Sequence, residues 1–241
     1  MTGTIHGVGL GPGDPELMSV KAARLVREAK VIAYFRKPGR PGVARTIVEG
    51  LLAPGCTEIA LEYPVTTEIP ADDPAYNDAL RPFYEKAADD LLAQAKSGHD
   101  VVVLCEGDPF LYGSFMHLYS RLRERVRVEV VPGIPGMSGC WTAAGEPMTY
   151  GDDVLVVLPA TLEEGTLISQ IEIADALVVM KLGRNLGKVR RALEIAGFLE
   201  RALYVEYGTM AAQTVMPLSD KDDDEAPYFS MVLVPGQGRR P

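Results

Sequence analysis

The chain has 241 residues, which is enough to bury the core of one large α/β domain or of two smaller ones. Hydrophobic residues make up 47% and charged residues 24%, values that are typical of a globular protein in water. The formal net charge of −9 argues against nucleic acid as a partner.

The three cysteines and the lengths of the apolar runs indicate the cellular compartment. Cys56, Cys105 and Cys140 are odd in number and form no CxxC pair, which predicts reduced thiols rather than a disulfide framework. No apolar run reaches the ~18–20 residues that span a bilayer, and no basic segment followed by an apolar core begins the chain. We therefore expect a cytoplasmic protein without a signal peptide or a membrane partner.

The first predicted strand, Thr4–Leu10, runs into the glycine-rich turn Gly9-Leu10-Gly11-Pro12-Gly13. Neither a G-x-G-x-x-G fingerprint nor a P-loop is present, so a nucleotide phosphate site is poorly supported. Asp14 and Glu16 would repel a phosphate at this position. A neutral or cationic ligand suits these acidic surroundings better, although a turn without any ligand explains the same residues.

Strands and helices alternate through the first half of the chain. Helical spacing of apolar residues predicts helices, and β-branched runs predict strands. In chain order, we predict a helix at Pro15–Ala29, a strand at Val31–Phe35, a helix at Val43–Leu52, a strand at Thr57–Glu62, a loop at Pro64–Pro74, a helix at Pro82–Lys96, a strand at Val101–Leu104 and a helix at Phe115–Arg123. This alternation is typical of a parallel sheet.

The strand Val101–Leu104 is apolar throughout, as expected for a strand buried on both faces. It is followed by Cys105-Glu106-Gly107-Asp108-Pro109. Gly107 allows close approach of the backbone to a ligand, and Asp108 can cap the next segment. Because ligands bind at the carboxyl ends of strands in open α/β sheets, this turn is a candidate site; a strand-to-helix turn without a ligand remains the alternative.

A basic cluster stands out in the acidic chain. Arg36, Lys37 and Arg40 lie between the second strand and the second helix, and Arg45 follows within that helix. A solvated surface is the usual explanation of such a cluster. The alternative is a site for substrate carboxylates, which arginine binds well.

The second half of the chain is also α/β, and we place the domain boundary so that residues 1–124 form one domain with a parallel sheet and residues 125–241 a second with a mixed sheet. Predicted strands are Val126–Val131, Val154–Leu158, Ala176–Met180, Ala202–Glu206 and Tyr228–Val234, and predicted helices run through Ala144, at Leu162–Ile173 and at Gly187–Ala196. The acidic segment Ser219–Pro227 is predicted to be a loop, because Glu225 stands where a calcium-binding loop needs glycine.

Several chemistries lack their residues. The histidines, His6, His99 and His117, are scattered and form no H-E-x-x-H pattern, so no metal site is predicted. The G-x-S-x-G elbow of serine hydrolases is absent. No covalent nucleophile is evident either, so the sequence assigns no catalytic residue.

Several segments in the same order resemble the tetrapyrrole (corrin/porphyrin) methyltransferases. The resemblance is carried by residues 9–17, the turn at 105–109, Val131-Pro132-Gly133-Ile134, Val179-Met180-Lys181 and Glu206-Tyr207-Gly208-Thr209, which together span nearly the whole chain. It implies two α/β domains with a cofactor cleft between them. The implied cofactor is S-adenosylmethionine, without a metal.

The resemblance also implies site residues. The cofactor-binding residues that it implies are Pro12, Glu106, Gly107, Asp108, Leu111, Met180 and Gly208. Arg36, Lys37 and Arg40 would bind substrate carboxylates. Pro135 and Gly136 stand where relatives have a hydroxyl residue and a small one, so contacts there would come from the backbone or be lost. Phe35-Arg36 replaces an Asp of some relatives, so no general base is carried over.

Within the family, residues 106–115 and 158–162 resemble the branch that methylates precorrin-2 at C20 to give precorrin-3A in cobalamin biosynthesis. The alternatives are the counterpart acting on cobalt-factor II, a diphthine synthase, against which residues 106–115 argue, and a non-catalytic nucleotide-binding module. The resemblance also implies a homodimer.

Overall fold

The computed structural model describes residues 2–66, 68–69 and 73–238. The chain divides into two compact units, Met1–Gly136 and Met137–Pro241. This division lies later than the boundary predicted between residues 124 and 125. The reason is that the strand Val128–Val131 pairs with the first strand, Ile5–Gly9, and so belongs to the first sheet.

The first unit contains a five-stranded parallel sheet. Its strands are β1 (Ile5–Gly9), β2 (Val31–Arg36), β3 (Thr57–Glu62), β4 (Val101–Cys105) and β5 (Val128–Val131), in the spatial order β3-β2-β4-β1-β5. Every neighbouring pair is parallel. The central strands β1 and β4 are fully buried, as the apolar run at Val101 predicts.

Helices cover both faces of this sheet. On one face, α1 (Val20–Glu28) and α2 (Val43–Ile47) pack on side chains such as Val8 and Ile32. On the other face, α3 (Pro74–Lys96) and α4 (Phe115–Leu122) pack on Ile5 and Val103. No helix in the described ranges is both long and apolar enough to cross a membrane.

The connections create a switch point at the carboxyl edge of the sheet. Strands β2 and β4 are neighbours, but the chain leaves β2 toward β3 on one side and leaves β4 toward β5 on the other. In open α/β sheets, ligands bind in the crevice outside the carboxyl ends of strands at such a point. The loops that follow β2 and β4 therefore have the location expected of a binding site.

The second unit is a mixed five-stranded sheet, with helices on both faces. Its strands are β6 (Leu155–Pro159), β7 (Ala176–Met180), β8 (Leu203–Glu206), β9 (Thr214–Pro217) and β10 (Ser230–Val234), in the order β6-β7-β10-β8-β9. Its helices are α5 (Gly136–Ala144), α6 (Glu164–Glu172) and α7 (Leu186–Ile195). Strand β10 is antiparallel to both β7 and β8, so those two strands end at the same edge.

Several elements differ from the predictions, and α2 ends at Ile47 rather than at Leu52. Helix α3 begins at Pro74 rather than at Pro82, because the Asp73 side chain accepts a hydrogen bond from the backbone N–H of Ala75 and Pro74 occupies the first turn. The segment predicted as one helix at Pro15–Ala29 is a 3₁₀ turn, Pro15–Leu17, followed by α1. Strand β9 was not predicted. The predicted loop at 64–74 lies partly outside the described residues.

Candidate functional site

Three loops meet at the carboxyl edge of the first sheet, after β1, β4 and β5. Gly11 and Gly107 form an isolated β-bridge, in which the Gly107 N–H donates to the Gly11 carbonyl at 2.8 Å. The Asp108 carboxylate accepts from the Gly133 N–H at 3.0 Å and from the Phe110 N–H at 2.8 Å. Backbone hydrogen bonds and one carboxylate thus join the three loops.

Glycines allow these loops to touch. A Cβ atom on Gly133 would lie 2.1 Å from the Gly107 oxygen, and one on Gly9 would lie 2.6 Å from the Gly133 nitrogen. Both distances are far inside van der Waals contact. The sequence explanation for Gly107, close approach of the backbone to a ligand, is therefore incomplete. Its positive φ of 63° already favours glycine, and a Cβ there would lie 3.3 Å from the Gly136 nitrogen.

Glu106 lies at the switch point between β2 and β4. Its Oε1 accepts a hydrogen bond of 2.9 Å from the Ala44 N–H in the first turn of α2. Burial raises the pKa of the Glu106 carboxyl, and the hydrogen bonds from the Glu106 and Ala44 N–H groups act in the opposite direction. The carboxyl therefore connects the loop after β4 to the segment that follows β2.

The two other residues predicted in this region, Pro12 and Leu111, are half-buried in the loops after β1 and β4. The N–H of Leu111 donates to the Asp108 carbonyl at 3.3 Å. The structure therefore brings the predicted residues of the first unit onto one edge. Their roles toward a ligand stay predictions.

In the second unit, the predicted residues Met180 and Gly208 also lie at the ends of strands. Met180 ends β7, and Gly208 lies two residues after β8, so both are at the edge where those strands end. A Cβ on Gly208 would lie 2.9 Å from both the Cα and the Sγ of Cys140. Gly208 thus allows α5 to pack closely. Burial raises the pKa of the Cys140 thiol to about 11, which keeps it protonated at neutral pH.

Strained backbone is concentrated at these two edges. Within the described residues, the non-glycine residues with positive φ are Tyr112, Lys181, Tyr207 and Thr209. Each lies in a loop just after β4, β7 or β8. Because such conformations cost free energy and gather at functional sites, they mark these edges independently of any motif. Backbone strain at ordinary residues has no sequence signal.

The basic cluster is partly neutralised by neighbouring carboxylates. Arg36 donates to Glu62 at 2.7 Å, and the two residues are direct partners across β2 and β3. Arg45 donates two bonds to Glu58, at 2.7 and 2.9 Å. Lys37 and Arg40 are exposed, and neither lies in an ion pair within the described part of the chain. Of the three residues predicted to bind substrate carboxylates, Arg36 is therefore paired with Glu62, whereas Lys37 and Arg40 are exposed.

A cluster of hydroxyl groups that the sequence does not predict lies near the carboxyl edge of the first sheet. The Ser114 Oγ lies 2.6 Å from the Tyr63 hydroxyl and accepts from the Tyr84 hydroxyl at 3.1 Å. The Tyr84 ring stacks on His117 with centroids 4.4 Å apart. Residues from three separate elements form the cluster, so no local pattern reveals it.

The acidic loop is organised by an arginine. Arg190 on α7 donates to the carbonyls of Leu218, Lys221 and Asp223 and to the Asp224 carboxylate, at 2.9–3.3 Å. The described residues contain no group of three or more side chains placed to hold a metal ion.

The loops after β1, β4 and β5 suit a cationic ligand chemically. Residues 9–16, 105–114 and 131–138 include Asp14, Glu16, Glu106 and Asp108, and no lysine or arginine. Such a set of side chains repels phosphate and is compatible with an ammonium or sulfonium group. The residues present therefore fit the positively charged methyl donor that the sequence resemblance implies.

Comparisons with known proteins identify the family of the chain. The family model described as "Tetrapyrrole (Corrin/Porphyrin) Methylases" matches residues 4–221. The chain is 54% identical over 239 residues to a precorrin-2 C(20)-methyltransferase of Sinorhizobium sp., covering 99% of this chain and 98% of that protein. It is 27% identical to the cobalt-precorrin-2 C(20)-methyltransferase of Salmonella typhimurium, covering 97% of each.

A solved structure shows the same fold. The uroporphyrin-III C-methyl transferase of Thermus thermophilus, complexed with S-adenosylhomocysteine, matches with a TM-score of 0.67 and 25% identity, covering 98% of each chain. The family match extends over both units of the chain. The chain belongs to the tetrapyrrole (corrin/porphyrin) methylases.

Proposed function

We propose that this protein transfers the methyl group of S-adenosylmethionine to C20 of metal-free precorrin-2, giving precorrin-3A in cobalamin biosynthesis. The observation that carries the proposal is the 54% identity, over 99% of the chain, to the Sinorhizobium precorrin-2 C(20)-methyltransferase. Identity to the Salmonella cobalt-precorrin-2 enzyme is half as high, at 27%. The metal-free macrocycle is therefore the favoured substrate.

The sulfonium supplies an already activated methyl group. As the C20–methyl bond forms, the sulfur–methyl bond breaks, its electron pair stays on sulfur, and C20 then loses its proton. The protein's share is to align the carbon with the methyl–sulfur bond and to exclude competing geometries. The loops after β1 and β4 suit that task because hydrogen bonds join them to each other and to the loop after β5.

We assign the methyl donor to the residues predicted from the sequence. Those of the first unit, Pro12, Glu106, Gly107, Asp108 and Leu111, lie on the loops after β1 and β4; those of the second, Met180 and Gly208, lie where β7 and β8 end. Two observations support the assignment: the acidic, lysine- and arginine-free composition of the first-unit loops, and the S-adenosylhomocysteine in the Thermus relative.

Lys37 and Arg40 are the proposed partners of the substrate's carboxylates. They follow β2 at the switch point and are exposed. Arg36 keeps its Glu62 partner, and we assign it to supporting the loop. Replacing both Lys37 and Arg40 by alanine should raise the KM for precorrin-2 at least tenfold, since each removes a charge-assisted hydrogen bond. Affinity for S-adenosylhomocysteine should stay unchanged, and Arg27→Ala, at an exposed arginine of α1, serves as the matched control.

The reaction is tested with a carbon-13-labelled methyl donor and precorrin-2 under anaerobic conditions. The label should appear on the meso carbon C20 in the NMR spectrum of the product. Label on a ring β-carbon would contradict the assigned position, and turnover with the cobalt complex alone would contradict the metal-free substrate. Binding of the methyl donor without any turnover would identify a non-catalytic module.

We also propose that the protein is a homodimer, as its family resemblance implies. Light scattering at micromolar concentration should give twice the chain mass of 26.1 kDa. A mass equal to one chain would contradict this proposal and leave the proposed reaction intact.

A further inference from the structure

Tyr112 combines two unfavourable properties at one position of the loop after β4. Its φ is +55°, in the left-handed region that a bulky side chain rarely adopts. Its ring is also exposed, with 42% of the residue's surface accessible. Tyr112 belongs to neither buried core cluster of the first unit, so core packing does not explain the strain.

Other exposed apolar side chains accompany it. In the first unit, the large apolar residues exposed among the described positions are Val20, Phe110, Tyr112 and Ile134. Three of these four belong to the loops after β4 and β5, which Asp108 and Gly133 join through a hydrogen bond. The Phe110 ring packs against Tyr119 in an edge-to-face contact, with ring centroids 4.9 Å apart. The edge therefore presents exposed apolar surface that includes two aromatic rings.

We propose that Tyr112, together with Phe110, binds the face of the tetrapyrrole macrocycle and so determines specificity for a large conjugated ring. This inference rests on the proposed function, and it adds the surface that recognises the ring itself. A partly conjugated macrocycle has a broad apolar face and carboxylates at its periphery. Lys37 and Arg40 match the periphery, whereas a preplaced aromatic ring matches the face.

The strained φ has a role in this arrangement. Holding the ring in position before binding avoids the entropy cost of ordering it when the substrate arrives. The free-energy cost of the positive φ instead lowers the stability of the folded protein, as is common for strained residues at ligand sites. Tyr112 is therefore a substrate-contacting residue rather than part of the methyl-donor site.

Three variants test the inference by binding alone, without methyl transfer. Precorrin-2 is titrated anaerobically, by absorbance, into protein saturated with S-adenosylhomocysteine. Tyr112→Asn should bind about tenfold more weakly, because the ring contact is lost. Tyr112→Phe should bind within about twofold of wild type, because the ring is kept. Tyr150→Asn, at an exposed tyrosine before β6, is the matched control and should bind like wild type.

Thermal melting separates this role from a structural one. Asparagine tolerates a positive φ, so Tyr112→Asn should melt at or above the wild-type temperature while binding precorrin-2 more weakly. Precorrin-2 affinity of Tyr112→Asn within twofold of wild type, or an equal loss of S-adenosylhomocysteine affinity, would overturn the inference. Wild-type binding without turnover would contradict the proposed reaction alone, and absence of wild-type binding would overturn both.

Discussion

Asp108 joins two loops at the carboxyl edge of the first sheet. Its two carboxylate oxygens accept from N–H groups of two different loops, at 2.8 and 3.0 Å. Hydrogen bonds from backbone N–H groups to a carboxylate are about twice as strong as neutral ones. Asp108 is therefore first a residue that joins loops, and any contact that it makes with the methyl donor comes in addition.

Asp108→Ala should lower the free energy of unfolding by about 2–3 kcal/mol, because two N–H groups lose their acceptor. S-adenosylhomocysteine affinity should fall as well, since the loops lose their common position. Asp73→Ala is the matched control, because Asp73 also accepts from a backbone N–H, at the start of α3. It should cost about 1 kcal/mol and leave the affinity unchanged. Urea unfolding and calorimetry measure both quantities, and unchanged affinity in Asp108→Ala would separate the loops from the site.

We expect His6 to make the stability of the fold depend on pH. Its Nδ1 is buried, has no hydrogen-bond partner within the described residues, and lies 3.7 Å from the Glu129 Oε2. Burial lowers the pKa of His6 below its usual 6.5. Glu129 and Asp100 oppose this effect, and Lys21 and Arg127 reinforce it. The native state therefore binds a proton at His6 less readily than the unfolded state does.

Stability contributed by neutral His6 should be lost as the pH falls below about 6.5, where the unfolded chain takes up the proton first. His6→Gln should flatten the dependence of unfolding free energy on pH between about 5 and 7. His99→Gln, at an exposed histidine, should keep the wild-type dependence. A wild-type slope in His6→Gln would mean that other groups cause the dependence.

At the scale of elements, packed glycines and an open glycine behave in opposite ways. Gly133 faces the Gly107 oxygen, where a Cβ would lie at 2.1 Å, whereas a Cβ on Gly165 in α6 would meet no atom within 4 Å. Both are replaced by alanine. Gly133→Ala should cost about 3 kcal/mol or prevent folding, and Gly165→Ala should gain about 0.5 kcal/mol. Urea unfolding distinguishes them, and a neutral Gly133→Ala would show that the loops can separate freely.

The strands and most helices of both units could be predicted from local patterns. Val101–Leu104 and Ala176–Met180 are apolar runs, and they are buried strands in the structure. The misses have physical causes. Helix α3 begins at Pro74, eight residues before the predicted start, because Asp73 caps it and Pro82 lies within the helix. The short edge strand β9 ends in proline. The contact between Gly9 and Gly133 joins residues far apart in sequence, which local reasoning does not reach.

For the whole molecule, the balance of charge opposes the proposed substrate. A net charge of −9 repels a polycarboxylate at long range, while Lys37 and Arg40 attract it only nearby. Raising the ionic strength from about 0.01 to 0.1 M shortens the screening length from about 30 to 10 Å. The association rate of precorrin-2 in stopped-flow measurements should therefore rise over this range. A rate that falls with salt would show that the local cations dominate the encounter.

The bridge between Gly11 and Gly107 has a consequence for amide hydrogen exchange. The N–H groups of Leu10, Gly107 and Gly133 all donate within the three loops, to Cys105, Gly11 and Asp108. Loop amides usually exchange through small local openings. These three, however, become accessible only when the loops come apart, and the loops are continuous with the buried strands β1 and β4. Deuterium should therefore enter them as slowly as it enters the centre of the sheet, even in protein that has bound nothing.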